Sequence, residues 1–265
     1  IYFTSDIICV DGDDNSDAFY EKLLTFLKSS NISFISQQPP QAVSKSYPID
    51  SINVSFGTYL IDLTLSEDDL WNNLHSKHRN VIRNSIKKDI EIVIDSKNLD
   101  DLYCLMKETM DRSNMWFFTR PEFNLYMEKM EGKQMSFIAY YKGVAQGCAI
   151  MPFSTHAAYY SYGGSVERPF TGAINHMHWN AIKFFKSKGV RAYDFVGARI
   201  NPKKGSKLEG IQRFKSRFGG ELVLGYLWKY PLQKFNYRLF RFLLMCKKRD
   251  FKNFSQDIID QELKR

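Results

Sequence analysis

The sequence contains no apolar run of about 18 residues, the length that a helix needs to cross a bilayer, so no transmembrane helix is expected. Its four cysteines, Cys9, Cys104, Cys148 and Cys246, are far apart and show neither a CxxC pair nor the spacing of a zinc site. Each cysteine lies among apolar neighbours in the sequence, so we expect reduced, buried thiols, no metal and no disulfide. No Ser-His-Asp or Cys-His spacing of a covalent nucleophile is recognisable. This favours direct attack of an acceptor on an acyl donor, without a covalent enzyme intermediate.

The start of the chain also lacks expected features. It begins at Ile1 rather than Met, so we expect a trimmed chain that lacks an upstream piece of the fold. No signal peptide is visible, although trimming could have removed one. The 265 residues allow one large or two smaller domains, and the 15% of aromatic residues can fill a sizeable core. The expected reduced thiols and the absence of a visible signal peptide together predict a cytoplasmic protein.

The charge is unevenly distributed along the chain. The net charge is +8, and bases cluster at 77–88, 199–217 and 229–249, with no acid in the first and last of these ranges. Each cluster is either a solvated face or a surface for a polyanion such as tRNA, a nucleotide pyrophosphate or anionic lipid. Residues 233–249 are expected to form a basic amphipathic helix, which either lies on an anionic membrane, such as the inner face of the cell membrane, or packs on the domain.

Hydrophobic periodicity predicts an α/β fold. A strand is expected at 1–10, a helix at 16–29, strands at 31–36 and 58–63, and one long helix from Ser66 to Lys88. From 134 onward, the predicted order is strand, strand, strand, helix, strand, helix, strand, and a strand at 156–162 carries Tyr160. This order indicates a mixed sheet and matches the C-terminal part of the acetyltransferase fold.

Several segments resemble one protein family in order and spacing. They are Ile61-Asp-Leu63, Lys77-His-Arg-Asn-Val-Ile-Arg83, Glu108-Thr-Met-Asp-Arg112, Tyr160-Ser-Tyr-Gly-Gly-Ser165, Tyr193-Asp-Phe-Val-Gly197 and Gly210-Ile-Gln-Arg-Phe-Lys215. Over roughly residues 60–229 the chain resembles the Fem family of peptidoglycan bridge-forming aminoacyltransferases. The resemblance implies a GNAT-like acyltransferase fold with two GNAT-like units: residues 1–64 would be the incomplete first unit and 65–265 the second.

The resemblance also implies a reaction. Fem enzymes transfer an amino acid from aminoacyl-tRNA to an amine of a peptidoglycan precursor, which can be lipid-linked, and they need no metal or other cofactor. Two alternatives remain. One is an acyl-CoA-dependent N-acyltransferase acting on a cell-wall or surface sugar, and the other is a non-enzymatic RNA- or membrane-binding module.

Candidate site residues follow from the matching positions. Lys215 matches the family's Phe-Lys position, where a cation can stabilise charge on the acyl oxygen, and is the expected catalytic residue. Tyr160 and Tyr162 match two family tyrosines, and residues two apart share a strand face, so both are expected to line one cleft. The alternative is that one of the pair packs in the core, in which case Tyr162 is the expected ligand contact. Arg120 matches an arginine that contacts acceptor phosphates, although Asn124 replaces the tyrosine that the family often has four positions later.

Two arginines, one loop and one aspartate are further candidates for a role in or near the site. Arg79 and Arg83 are expected either to grip the tRNA or acceptor or to form an exposed helix stripe. Residues 168–173 (RPFTGA) keep only the Gly-Ala end of the loop that holds coenzyme A pyrophosphate in acetyltransferases, which argues against ordinary coenzyme A binding. Asp194 is expected to anchor the following loop by accepting backbone N–H bonds.

Overall fold

The computed structural model describes residues 1–3, 16–95, 97–249 and 254–265. Contacts divide the chain into a smaller unit, Ile1–Thr58, Gly197–Pro202 and Val223–Arg265, and a larger unit, Tyr59–Val196 and Lys203–Leu222. The predicted boundary at 64/65 lies near the first division. However, the residues from Val223 onward, which were expected in the second unit, group with the N-terminal segment. Long-range bridges such as Ile35–Tyr230 and Ser44–Tyr226 account for this grouping.

The larger unit contains an antiparallel sheet covered by helices. Its strands have the order β2 (Glu91–Ile94), β3 (Gln134–Tyr141), β4 (Val144–Pro152) and β6 (Tyr162–Ser165). Its helices are α2 (Glu67–Asn73), α3 (Ser76–Ile86), α4 (Leu99–Arg112), α5 (Arg120–Lys129), α6 (Ala173–Ser187) and α7 (Lys207–Ser216). The β3–β4 turn places Lys142 and Gly143 at positive φ, as a tight hairpin requires.

A second sheet makes the architecture mixed. In the larger unit, β5 (Ala157–Tyr159) pairs in parallel with β7 (Ala192–Asp194), and β7 pairs antiparallel with the end of β1 (Ile52–Asp62). The main core draws side chains from both strand sets of this unit and from helices α2, α3 and α6. Helix α6 fills it with Met177, Ile182 and Phe185, which recur every three to five residues on its buried face. The predicted α/β class with a mixed sheet is confirmed.

The smaller unit combines helix α1 (Ser16–Ser29) with strand and C-terminal elements. The first part of β1 pairs with β8 (Ala198–Arg199), and β9 (Glu221–Lys229) also pairs with β1. Helices α8 (Lys234–Lys248) and α9 (Ile258–Leu263) follow. The ammonium of Lys229 is almost fully buried, and it forms ion pairs with Asp257 at 2.9 Å and with Asp260 at 2.5 Å. Since the charges are paired, this buried cation is tolerated.

Several elements differ from the sequence prediction. The expected long helix at 66–88 is two helices, because the chain leaves helical geometry at Leu74 and His75, and the His75 ring caps α3 by accepting from the N–H of Lys77 at 3.1 Å. The expected strand 31–36 is a single bridge at Ile35, and most of the expected strand 1–10 lies outside the described residues. None of the helices described is long and apolar enough to span a membrane.

Of the three cysteines that the structure describes, one is buried as expected. Cys148 is buried in strand β4, whereas Cys104 and Cys246 are exposed on helices, and all three are free. Cys9 lies outside the described residues. Helical neighbours that are apolar in sequence therefore did not determine which face each cysteine occupies.

Candidate active site

The candidate site lies where one strand changes its pairing partner. Strand β5 pairs in parallel with β7, whereas β6, which begins three residues after β5 ends, pairs antiparallel with β4. Tyr160 and Ser161 lie between the two ladders, and the N–H of Tyr160 donates to the carbonyl of Asp194 at 2.8 Å. The two sheets separate here, beyond the carboxyl ends of two parallel strands, which is a common place for ligands in α/β proteins.

A cavity of about 520 Å³ opens at this point in the larger unit. Its walls come from the segments after β5 and β7 and from α7; they are formed by Tyr160, Ser161, Gly163, Phe195, Val196, Lys207, Gly210, Ile211, Phe214 and Lys215. Of the predicted site residues, it brings together Tyr160 and Lys215. A larger cavity of about 700 Å³ near the start of β3 and the end of α5 contains none of them, so volume alone does not locate the chemistry.

Lys215 is the charged group buried in the cavity wall. It lies in the last turn of α7, its side chain is largely withdrawn from solvent, and Nζ donates to the carbonyl of Val196 at 2.7 Å. Burial lowers the pKa of Lys215 to about 8, and the carboxylate of Asp194 partly offsets this effect. The group is therefore mostly an ammonium at neutral pH. An ammonium in this position can donate to a developing oxyanion.

Asp194 holds the loop that presents the Val196 carbonyl. Its Oδ1 accepts a hydrogen bond from the N–H of Val196 at 2.7 Å, and Val196 has a φ of 47°. Positive φ is strained for a β-branched residue, typically by about 1–3 kcal/mol, and persists only where the surroundings fix it. The expected role of Asp194, anchoring this loop through a backbone N–H, is confirmed.

Sequence reasoning missed His178, which supports the wall behind Tyr160. Its imidazole is fully buried, its Nδ1 lies 2.7 Å from the Tyr193 hydroxyl, and its ring meets that of Tyr160 edge-on at 4.6 Å. Burial, followed by the nearby charge of Lys215, lowers the pKa of His178 to about 3, so the ring is neutral. The sequence signal that could have identified this histidine was its position directly after Met177, on the buried face of α6.

The two tyrosines do not share a strand face, contrary to the prediction. Tyr160 packs with His178 and Phe195 in the main core, whereas Tyr162 lies edge-on to Tyr126 at 5.7 Å in the cluster beneath α4 and α5. The physical reason is the interruption at 160–161, which breaks the two-residue alternation of a continuous strand. Tyr162 is not among the residues that line the Lys215 cavity.

Arg120 begins helix α5 and lies over an aromatic ring. Its guanidinium pairs with Asp100, its Nε donates to Asn124 at 3.1 Å, and its Cζ is 5.1 Å from the centre of the Tyr103 ring. The Asp100 carboxylate is largely exposed, so this ion pair contributes little stability. Asn124, at the position where the family often has a tyrosine, therefore holds the arginine side chain by accepting its Nε–H.

Arg79 and Arg83 both serve the junction between α2 and α3. Nη1 of Arg79 donates to the carbonyls of Asn72, at 2.7 Å, and of Leu74, which satisfies the open end of α2. The guanidinium of Arg83 lies 5.3 Å from the centre of the Trp71 ring. Neither side chain lines the Lys215 cavity. Their predicted contact with tRNA or acceptor stays a prediction, beside a structural role that the sequence did not show.

A third cavity, of about 590 Å³, lies at the start of α6 in the larger unit. Lys77 and Arg217 contribute positive charge to its lining, which contains no carboxylate. Gly172 caps α6 at a φ of 96°, and a Cβ there would lie 2.9 Å from the Val81 carbonyl. The close approach of α3 therefore requires a glycine at position 172, and the open N-terminus of α6 favours an anion.

The chain is similar to known proteins in part of its sequence and in its fold. No family model matches the chain. It is 34% identical over 79 residues to the lipid II:glycine glycyltransferase of Staphylococcus haemolyticus, a match that covers 29% of this chain and only 19% of that protein. In structure it is similar to FemX, with a TM-score of 0.67 and 15% identity over 90% of this chain and 82% of that one.

A further similar structure extends the comparison of folds. L-PGS from Bacillus licheniformis aligns with a TM-score of 0.52 and 11% identity, covering 80% of this chain and 72% of that one. At such low identities these likenesses establish the fold. The resemblance to Fem proteins expected from the sequence is confirmed by both the sequence match and the FemX fold.

Proposed function

We propose that the chain is an aminoacyltransferase that moves an aminoacyl group from aminoacyl-tRNA to an amine of a peptidoglycan precursor. The observation that carries the proposal is the buried ammonium of Lys215 in the wall of a cavity at the strand divergence. A fold similar to FemX and a local sequence match to a lipid II:glycine glycyltransferase support the choice of donor and acceptor.

The proposed reaction needs no covalent enzyme intermediate. The neutral acceptor amine attacks the ester carbonyl of the donor, a C–N bond forms, and negative charge develops on the carbonyl oxygen. The Lys215 ammonium donates to that oxygen, and removing such a donor typically lowers kcat about 10²–10³-fold. The ester C–O bond then breaks, and a proton from the attacking nitrogen passes to the released ribose oxygen, which leaves as the hydroxyl of the tRNA.

We assign acceptor recognition to Arg120. Its guanidinium is held by Asn124 and the face of the Tyr103 ring, so it is already oriented, while its exposed partner Asp100 is easily replaced by a ligand phosphate. Peptidoglycan precursors carry phosphates whether they are linked to a nucleotide or to a lipid, and this arginine would bind those phosphates.

The test is transfer of a radiolabelled amino acid from charged tRNA to a muropeptide precursor, followed over a single turnover. Lys215→Met should reduce the rate about 10²–10³-fold. Lys204→Met, which removes an exposed lysine from the same basic segment, is the matched control and should leave the rate unchanged. Equal rates for the two variants, or no transfer by the wild-type chain across a panel of tRNAs and acceptors, would argue against the proposal.

One observation favours a second candidate, an acyl-CoA-dependent N-acyltransferase acting on a cell-wall sugar. The cavity at the start of α6 carries Lys77 and Arg217, which suit a pyrophosphate. Thermal stabilisation by acyl-CoA but not by charged tRNA would favour this candidate, and it should be lost in Lys77→Gln together with Arg217→Gln. The reverse preference would support the tRNA donor.

A further inference from the structure

Helix α8 of the smaller unit has two apolar faces, and only one of them is packed. On the packed face, Tyr237 is buried, and the rings of Tyr237 and Phe240 lie 5.4 Å and 4.8 Å from that of Phe34. Packing on the domain, one of the two roles expected from the sequence, therefore uses only part of the apolar surface of this helix.

The other face of α8 presents large apolar side chains to solvent. Phe235, Leu239, Phe242 and Leu243 follow the i, i+4, i+7, i+8 spacing of one helical face, and each is exposed, Phe235 by 77% and Leu243 by 57%. Single exposed apolar residues are ordinary, but four on one face form a continuous patch that indicates a partner.

The charges around this patch indicate what the partner is. Residues 230–249 contain no Asp or Glu, and the exposed bases Lys234 and Arg238 border one side of the apolar face, with Lys247 on the other. Within the described part of the chain, no ion pair involves these three, whereas Arg241, nearer the packed face, is bound to Asp260 at 2.9 Å. The long basic side chains can lie along the apolar strip with their charges outward.

We propose that α8 docks on an anionic lipid bilayer, with its Phe235–Leu243 face entering the interface and the flanking bases contacting lipid headgroups. An amphipathic helix with aromatic and leucine residues on one face and bases beside them binds such surfaces. A second copy of the chain fits less well, because paired α8 faces would bring two acid-free basic helices together. The proposal stands apart from the proposed reaction, since it concerns binding without donor or acceptor.

Vesicle co-sedimentation of the whole chain tests the proposal. The chain should bind vesicles of phosphatidylcholine with 30% phosphatidylglycerol, bind pure phosphatidylcholine far more weakly, and dissociate with added salt. Replacing Lys234 and Arg238 with Gln should weaken binding about 25-fold, at about fivefold per charge. Phe235→Ser with Phe242→Ser should abolish it.

Matched controls come from α1 of the same unit. Phe26 is 65% exposed there and Lys28 lies in its last turn, so Phe26→Ser and Lys28→Gln should leave vesicle binding unchanged. All substituted side chains are exposed, and an unchanged thermal melt confirms that each variant folds. Equal binding to neutral vesicles, or full binding by the double Phe variant, would overturn the proposal. Two other results would also overturn it. If the chain does not bind vesicles but forms a dimer that the double Phe variant dissociates, the face belongs to a second copy. If it does not bind vesicles but binds an acidic protein through this face, the partner is that protein.

Discussion

Replacing Lys215 with methionine should make the folded protein more stable at neutral pH. Burial lowers the pKa of Lys215 from 10.5 to about 8, and one pKa unit corresponds to about 1.4 kcal/mol, so the buried charge disfavours folding by about 3 kcal/mol. Methionine fills similar volume without a charge. It also leaves the Val196 carbonyl without this donor, which offsets the gain by about 1 kcal/mol.

The lowered pKa fixes how this difference depends on pH. Below about pH 8, Lys215 is protonated in both folded and unfolded states, and the penalty is fully present. Between about pH 8 and the unfolded pKa of 10.5, the folded state has released its proton and the unfolded state has not, so wild-type stability rises. The advantage of the methionine variant should therefore shrink by about 2.5 kcal/mol between pH 7 and pH 10.

Urea unfolding of both proteins at the two pH values measures the effect, because all other titrating groups cancel in the difference. A variant that is less stable at pH 7, or a difference that does not change with pH, would refute the inference that Lys215 is a destabilised, buried cation. A further loss of transfer activity in the more stable variant would show that the lysine serves the reaction at the expense of stability.

Three further outcomes are expected. In single-turnover transfer, the wild-type rate should fall above about pH 8 as Lys215 loses its proton, whereas Lys215→Arg should retain its rate to higher pH if it is active; a shared descending limb would contradict this. Lys229→Met should destabilise folding by about 3–5 kcal/mol in urea titrations, because two carboxylates lose their buried partner; a neutral effect would contradict this. Gly172→Ala should lower Tm more than Gly132→Ala, since both have positive φ but only the first meets backbone atoms; equal losses would exclude the close approach.

Much of the larger unit could be predicted from periodicity. Helix α6 and the β3–β4 hairpin occur in the predicted order of elements, because each has an uninterrupted apolar pattern that ends at a glycine or a turn. The break between α2 and α3 was missed because Leu70, Leu74, His78 and Ile82 keep a four-residue spacing across it. A regular apolar row does not reveal a two-residue break in helical geometry.

The site was only partly predictable, for a related reason. Lys215 was expected to line a cleft because its motif resembles that of a family, and it does line a cavity. The anchoring role of Asp194 follows from its place at a strand end. The separation of Tyr160 from Tyr162 depends on which strands pair with 157–165, which is a long-range property that local alternation does not contain. The grouping of residues 223–265 with the N-terminal segment is long-range in the same way.

The most direct test of the account is a crystal structure of the chain with a phosphonate analogue of the tetrahedral intermediate, linking an aminoacyl group to adenosine. The account predicts that Nζ of Lys215 lies about 2.7–3.1 Å from the phosphonyl oxygen, with the analogue in the cavity beside Tyr160. An analogue bound at the start of α6, or anywhere out of reach of Lys215, would contradict it.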